Sequence, residues 1–103
     1  MRRIRILAAA RSDLVDGYHF YERQAEGVGR YFLDTLYSDI ESLQISAGVH
    51  TARFGHYQCM LSRRFPYAVY YRIVDDEVRI YAVLDCRRSP QRIRDRLSQH
   101  EES

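Results

Sequence analysis

Lysine is absent from this chain: all sixteen basic residues are arginine. No apolar run approaches the ~20 residues that cross a bilayer, so no membrane span is expected. The basic N-terminus has no long apolar stretch behind it, and no signal peptide is read there. Cysteine is scarce. Cys59 and Cys86 form no CxxC pair, and each falls in a predicted strand or at its end. They are read as two reduced thiols of a cytosolic protein, a disulfide or metal pair being the alternative. His19, His50, His56 and His100 are scattered, with neither HExxH nor a Cys/His cluster, so no metal is expected. No Gly-rich loop has Walker or dinucleotide spacing, which argues against a nucleotide cofactor. Nothing resembles a nucleophile elbow. The chain also lacks internal repeats, low-complexity segments and linkers. Its 103 residues, 46% hydrophobic and 13% aromatic, suit one domain over 1–103 with a single core and argue against disorder.

The charge that is present is unevenly placed. Residues 1–47 carry six Arg against seven acids, and residues 48–103 carry ten against seven. Between Asp85 and Arg96 stand five arginines, Arg87, Arg88, Arg92, Arg94 and Arg96, with two aspartates. Guanidinium groups favour bidentate contact with phosphate or carboxylate. This stretch therefore suits an edge that meets nucleic acid or an acidic partner; a solvated helix face is the plainer reading.

The centre of the fold is expected in residues 63–90. Tyr67–Val74 is rich in β-branched and aromatic residues, and Val78–Leu84 repeats that character after Asp75-Asp76. Two such runs about a short acidic turn predict an antiparallel hairpin. Alternation puts Val78, Ile80, Ala82 and Leu84 on one side of the second run and Arg79, Tyr81 and Val83 on the other. The first run is apolar on both faces apart from Arg72, as befits an inner strand. Pro66, lacking an N–H, belongs at the start of its strand.

Earlier in the chain, Arg3–Leu7 alternates as a half-buried strand. Ala8–Gln24 shifts to helical spacing, with Ala10, Leu14, Tyr18, Tyr21 and Ala25 as its apolar stripe. Ser12 or an alanine just before it would start the regular part, with Asp13 and Asp16 in the positive first turn. Gly27 and Gly29 mark the stop. A second helix is predicted from about Val28 to Ser46, burying Phe32, Leu36, Ile40 and Leu43. The short Gly-containing joint makes the pair a helix hairpin. Ala52–Leu61 reads as strand with a bulge or break at Gly55. Ser89 is placed to cap, and Pro90 to open, a short helix over Gln91–Ser98. These elements predict an α+β architecture with both long helices on one sheet face.

Two groups invite a functional reading. His56 stands beside Tyr57 with Arg53 close by. A histidine that moves protons and an arginine that stabilises a phosphorane can cleave RNA without metal, although an exposed strand histidine explains His56 as well. Leu33 and Tyr37 lie off the main stripe of the second helix. They are either exposed anchors for a partner or the wide edge of the core.

Several short motifs recur together in one order: Ala10-x-x-Asp13-Leu14, Tyr21-Glu22, Gly29-Arg30-x-Phe32-Leu33, Arg64-Phe65-Pro66-Tyr67, Val69-Tyr70-Tyr71 and Arg87-Arg88-Ser89-Pro90. On these the chain resembles the RelE/ParE-superfamily toxins of bacterial type II toxin–antitoxin modules over nearly its full length. The resemblance implies a RelE-like two-layer fold: a strand, a helix hairpin, an antiparallel sheet with the first strand beside the last, and a short C-terminal helix. It also implies a cytoplasmic protein neutralised by a cognate antitoxin. Ser46-Ala47-Gly48 stands where relatives commonly carry proline, a departure that touches loop geometry.

Within that superfamily, RelE-type members are ribosome-dependent mRNA endonucleases. Alignment of the hairpins puts Gln58, Met60 and Ala68 where those enzymes place basic side chains. Arg88 alone matches, and Arg94 takes the approximate place of their C-terminal tyrosine. The aromatic segment from Arg64 to Tyr71 is similar to ParE-type members, which are linked to poisoning of DNA gyrase. The resemblance therefore implies a ParE-like toxin acting by protein contact, with Arg87, Arg88, Arg92, Arg94 and Arg96 facing the target and Leu33 and Tyr37 facing the antitoxin. Alternatives are a ribonuclease using Arg53, His56, Tyr57 and Arg88 on ribosome-bound mRNA, and a degenerate module that only binds antitoxin.

Overall fold

A computed structural model describes residues 1–99; His100 lies outside the described residues. The chain runs β1 (Arg3–Ile6), α1 (Ala8–Glu22), α2 (Val28–Glu41), α3 (Leu43–Ser46), β2 (Ala52–Arg53), β3 (Tyr57–Leu61), β4 (Tyr67–Val74), β5 (Glu77–Asp85) and α4 (Pro90–Ser98). The five strands form one sheet in the order β1-β5-β4-β3-β2. The predicted hairpin is its middle, and β1 lies beside β5 as expected. The neighbours from β2 to β5 are antiparallel, whereas β1 runs parallel to β5. A parallel pair needs a long crossover, which the helix hairpin between β1 and β2 supplies.

Helix α1 starts at Ala8, not near Ser12. The Leu7 N–H still bonds to the Ile80 carbonyl, and the Leu7 carbonyl already accepts from Arg11, so strand passes into helix with no loop between. Asp13 is consequently a second-turn residue, and it is buried. The stripe ends early as well: Ala25 is exposed beyond the helix end. The joint is closed by Glu22, whose carboxylate accepts the N–H groups of Gly27 and Gly29 at 2.9–3.1 Å. Gly29 also allows the helices to approach, since a Cβ there would lie 2.6 Å from the Tyr18 carbonyl oxygen. The second helical stretch is split at Ser42, whose hydroxyl bonds to the Asp39 carbonyl in competition with the backbone ladder. Ser42 keeps helical dihedrals, so Leu43 stays on the buried stripe with Phe32, Leu36 and Ile40.

The predicted strand 52–61 is a hairpin. Phe54 and Gly55 both have positive φ, 52° and 90°, and turn β2 back along β3. Pro66 sits just before β4, and its carbonyl accepts the Cys86 N–H.

Strand β5 does not keep one face. Tyr71 pairs with Ile80 and Tyr70 with Ala82, leaving Tyr81 unopposed. This one-residue bulge reverses the alternation. Val78, Ile80 and Val83 face the long helices with Val69, Tyr71, Phe32 and Leu36. Tyr81, Ala82 and Leu84 face the other way, under Ile93 and Leu97 of α4. The expected single side of Val78, Ile80, Ala82 and Leu84 is thus divided between two apolar clusters. Ser89 caps α4 by accepting the Arg92 N–H, with Pro90 in the first turn as predicted.

Candidate functional site

Where β5 ends, the chain makes a corner at Arg87-Arg88, and two grooves meet there. One, of about 350 Å³, lies between α1 and the sheet, with Asp16, Gly17, Phe20, Tyr67 and Asp85 in its walls. The other, of about 280 Å³, lies between the β2–β3 hairpin and α4, and is lined by Arg53, Phe54, Cys59, Tyr70 and Cys86. Arg88 borders both. Among the described residues no carboxylate lies within ion-pair distance of its guanidinium, and it is exposed.

The other arginines of this stretch differ in what holds them. Arg87 grips Asp85 through Nε and Nη2 at 2.7–3.2 Å, and its own N–H bonds to the same carboxylate. The pair remains on the open wall of the first groove, and Arg87 holds the Asp85 carboxyl below the usual carboxylate range. Arg92 is exposed. Arg94 lies over the Phe54 ring, 5.5 Å from its centroid, a cation–π contact between α4 and the β2–β3 turn. Arg96 turns inward: its two terminal nitrogens bind the Asp13 carboxylate at 2.6 and 2.8 Å, and its side chain is 17% exposed.

The ribonuclease set is brought together only in part. Arg53 and Arg88 share the second groove, and His56 is exposed at the hairpin tip. Tyr57 is fully buried on the sheet face under α4, its hydroxyl donating to the Leu97 carbonyl at 2.8 Å. Of the positions that carry bases in the nucleases, Met60 and Ala68 are buried. Gln58 accepts a hydrogen bond from Tyr71, whose hydroxyl also contacts the His50 ring and the Gly48 N–H. Burial lowers the His50 pKa. Burial also pushes the Tyr67 hydroxyl, behind the first groove, up to about 12, and raises Tyr70 and Cys59 in the second.

Of the two side chains read as either partner anchors or core edge, Tyr37 is 40% exposed, whereas Leu33 is partly buried against the core. Phe20 and Tyr31 are as exposed as Tyr37 and add aromatic surface to the helix hairpin. Asp13 was missed as a positioning residue, although it has a sequence signature. It is an acid within the spacing 10, 13, 14, 17 that forms the buried stripe of α1.

Known proteins share the fold. A solved structure of the chromosomal ParDE TA system from P. aeruginosa has the same fold, with a TM-score of 0.72 at 17% identity over 81% of this chain and 94% of that one. No curated protein sequence matches. Residues 4–90 match the family described as the ParE toxin of the type II toxin–antitoxin system parDE. The first strand from Ile4 on, the helix hairpin and the sheet ending at the Arg87-Arg88 corner fall within that match, and the chain belongs to the ParE toxin family of type II toxin–antitoxin systems.

Proposed function

We propose that this toxin arrests growth by binding DNA gyrase through the corner and the outer face of α4, and that a cognate antitoxin neutralises it in the cytoplasm. The observation that carries the reading is Arg88. It is an exposed guanidinium without a carboxylate partner among the described residues, raised between two grooves. Arg92 and the ring-stacked Arg94 continue the basic surface along α4, while Arg87 is shared with Asp85 and Arg96 serves the body of the protein. An arginine flanked by partly apolar grooves has the composition of an interface hot spot. The antitoxin would cover Tyr37 and the edge at Leu33 with a segment that folds on contact.

The test is to incubate the purified toxin with gyrase and plasmid, and in parallel with translating ribosomes. Gyrase-dependent double-strand breaks or lost supercoiling, reduced about tenfold or more by Arg88→Ala as expected of a hot spot, are the expected result. Site-specific mRNA cuts abolished by Arg88→Ala would instead establish the ribonuclease. Normal growth on induction of a stably folded product would identify a module that only binds antitoxin.

A further inference from the structure

The face of the sheet that carries α4 holds a second basic feature, far along the strands from Arg88. Arg5 on β1 is directly opposite Arg79 on β5, and Arg79 is directly opposite Arg72 on β4. Three guanidinium side chains thus stand in one row across three adjacent strands. Like charges in direct cross-strand register are unfavourable. The next register position places Arg3 opposite Glu77. Glu77 is shared: it lies 2.7 Å from Arg79 Nε and 4.0 Å from Arg5 Nη1. Three cations therefore crowd around this one carboxylate, and Arg72 stands beyond Arg79 in the row.

Arg72 makes the imbalance plain. Its guanidinium is stacked 4.1 Å from the Tyr57 ring centroid and 5.3 Å from that of Tyr81. Among the described residues its Nε and Nη2 have no hydrogen-bond partner, and unsatisfied buried donors are costly. Arginines on an edge strand commonly guard against sheet-to-sheet aggregation. That accounts for Arg3 and Arg5 on β1 but not for Arg79 and Arg72 on inner strands.

From this row we infer that the face at Arg3, Arg5, Arg72 and Arg79 is a binding site for the phosphate backbone of nucleic acid. Strands lie about 4.8 Å apart, so the row spans roughly 10 Å. Duplex DNA carries one charge per about 1.7 Å of axis and offers several phosphates over that length. The planar, bidentate guanidinium fork suits phosphate oxygens. A protein partner would need an apolar anchor beside the charges. Among the described residues the exposed large apolar side chains other than the terminal Met1 lie on the helices, at Val49, or at Leu61, which is opposite Ala68 at the Arg88 end of the sheet. The site is independent of the gyrase reading and is measured without gyrase.

Fluorescence anisotropy of the full chain with a labelled DNA duplex of about 20 base pairs and arbitrary sequence tests it. Binding should weaken with salt at a log–log slope of about −3 for three to four neutralised phosphates. Arg5→Gln/Arg79→Gln should cut affinity at least about tenfold at low salt and make the slope shallower by about 1.8. Arg3→Gln/Arg5→Gln, confined to the edge strand, should reduce the slope similarly and covers the case in which the first variant misfolds. Arg92→Gln/Arg94→Gln should leave binding unchanged. The inference is overturned if the duplex does not bind at low salt, if both row variants bind as the parent does, or if the α4 variant abolishes binding. It is also overturned if poly-glutamate binds as tightly as the duplex, which would make the site one for an acidic protein.

Discussion

Removing the Asp13 carboxylate should loosen the seam between α1, β5 and α4. Asp13 Oδ2 accepts the Val83 N–H at 2.9 Å, at a point where β5 has run past the end of β1 and has no outer strand to bond. Both carboxylate oxygens bind Arg96, and the two side chains are 8% and 17% exposed. Asp13→Ala therefore strands a buried N–H, at about 1–3 kcal/mol, and an inward-turned guanidinium. Breaking a fully buried pair costs about 3–5 kcal/mol, and the partial exposure of Arg96 brings its share to roughly 2 kcal/mol. The sum of about 4 kcal/mol is a large part of the ~5–15 kcal/mol of a typical domain. It should lower the thermal midpoint by about 15–30 °C. Circular dichroism melts and urea titrations would measure this. In Asp13→Ala/Arg96→Met no unpaired charge remains, so the double variant should be more stable than Asp13→Ala alone by about 1–2 kcal/mol. A loss below about 1 kcal/mol for Asp13→Ala, or a double variant as unstable as the two single losses added, would refute the reasoning.

Gly29→Ala should destabilise by about 1–3 kcal/mol, because the new methyl meets the Tyr18 backbone, which cannot yield. Gly27→Ala puts a side chain into open space at φ 88° and should cost only the left-handed strain of about 1–2 kcal/mol; urea midpoints in the reverse order would contradict the close helix approach. Alkaline stability should depend on Tyr67. Folding holds its proton up to about pH 12, whereas an unfolded tyrosine releases it near 10. The contribution is complete below about pH 10 and lost as pH rises to about 12, roughly 2–3 kcal/mol in all. Tyr67→Phe should flatten that limb in urea titrations across the range, and an unchanged limb would exclude Tyr67 as its source.

The elements legible in the sequence are those whose signal is local. Tyr67–Val74 and Val78–Leu84 carry β composition on either side of an acidic turn, and Phe32, Leu36, Ile40 and Leu43 keep helical spacing even across the break at Ser42. Ser89-Pro90 announces α4 by capping chemistry alone. The bulge at Tyr81 leaves no such trace, because Ile80 to Leu84 is apolar throughout and every register buries something. The direction of β1 depends on the path of the helices between it and the sheet. The roles of the arginines were legible least. Arg87, Arg88, Arg92, Arg94 and Arg96 are alike in sequence and are distinguished only by what folding brings near: Asp85 for Arg87, Phe54 for Arg94, and Asp13, 83 residues away, for Arg96.

The unopposed residue in β5 also limits how this family member can change. The stretch Glu77–Ile80 answers to the long helices through Val78 and Ile80, and Ala82–Leu84 serves both layers, each in a phase set by that single extra position. Deleting or inserting one amino acid between Tyr81 and Leu84 would exchange Val83 and Leu84 between layers that are already full. Length variation in this protein should therefore be found in its turns, while the middle strand pair tolerates substitution but not a change of count.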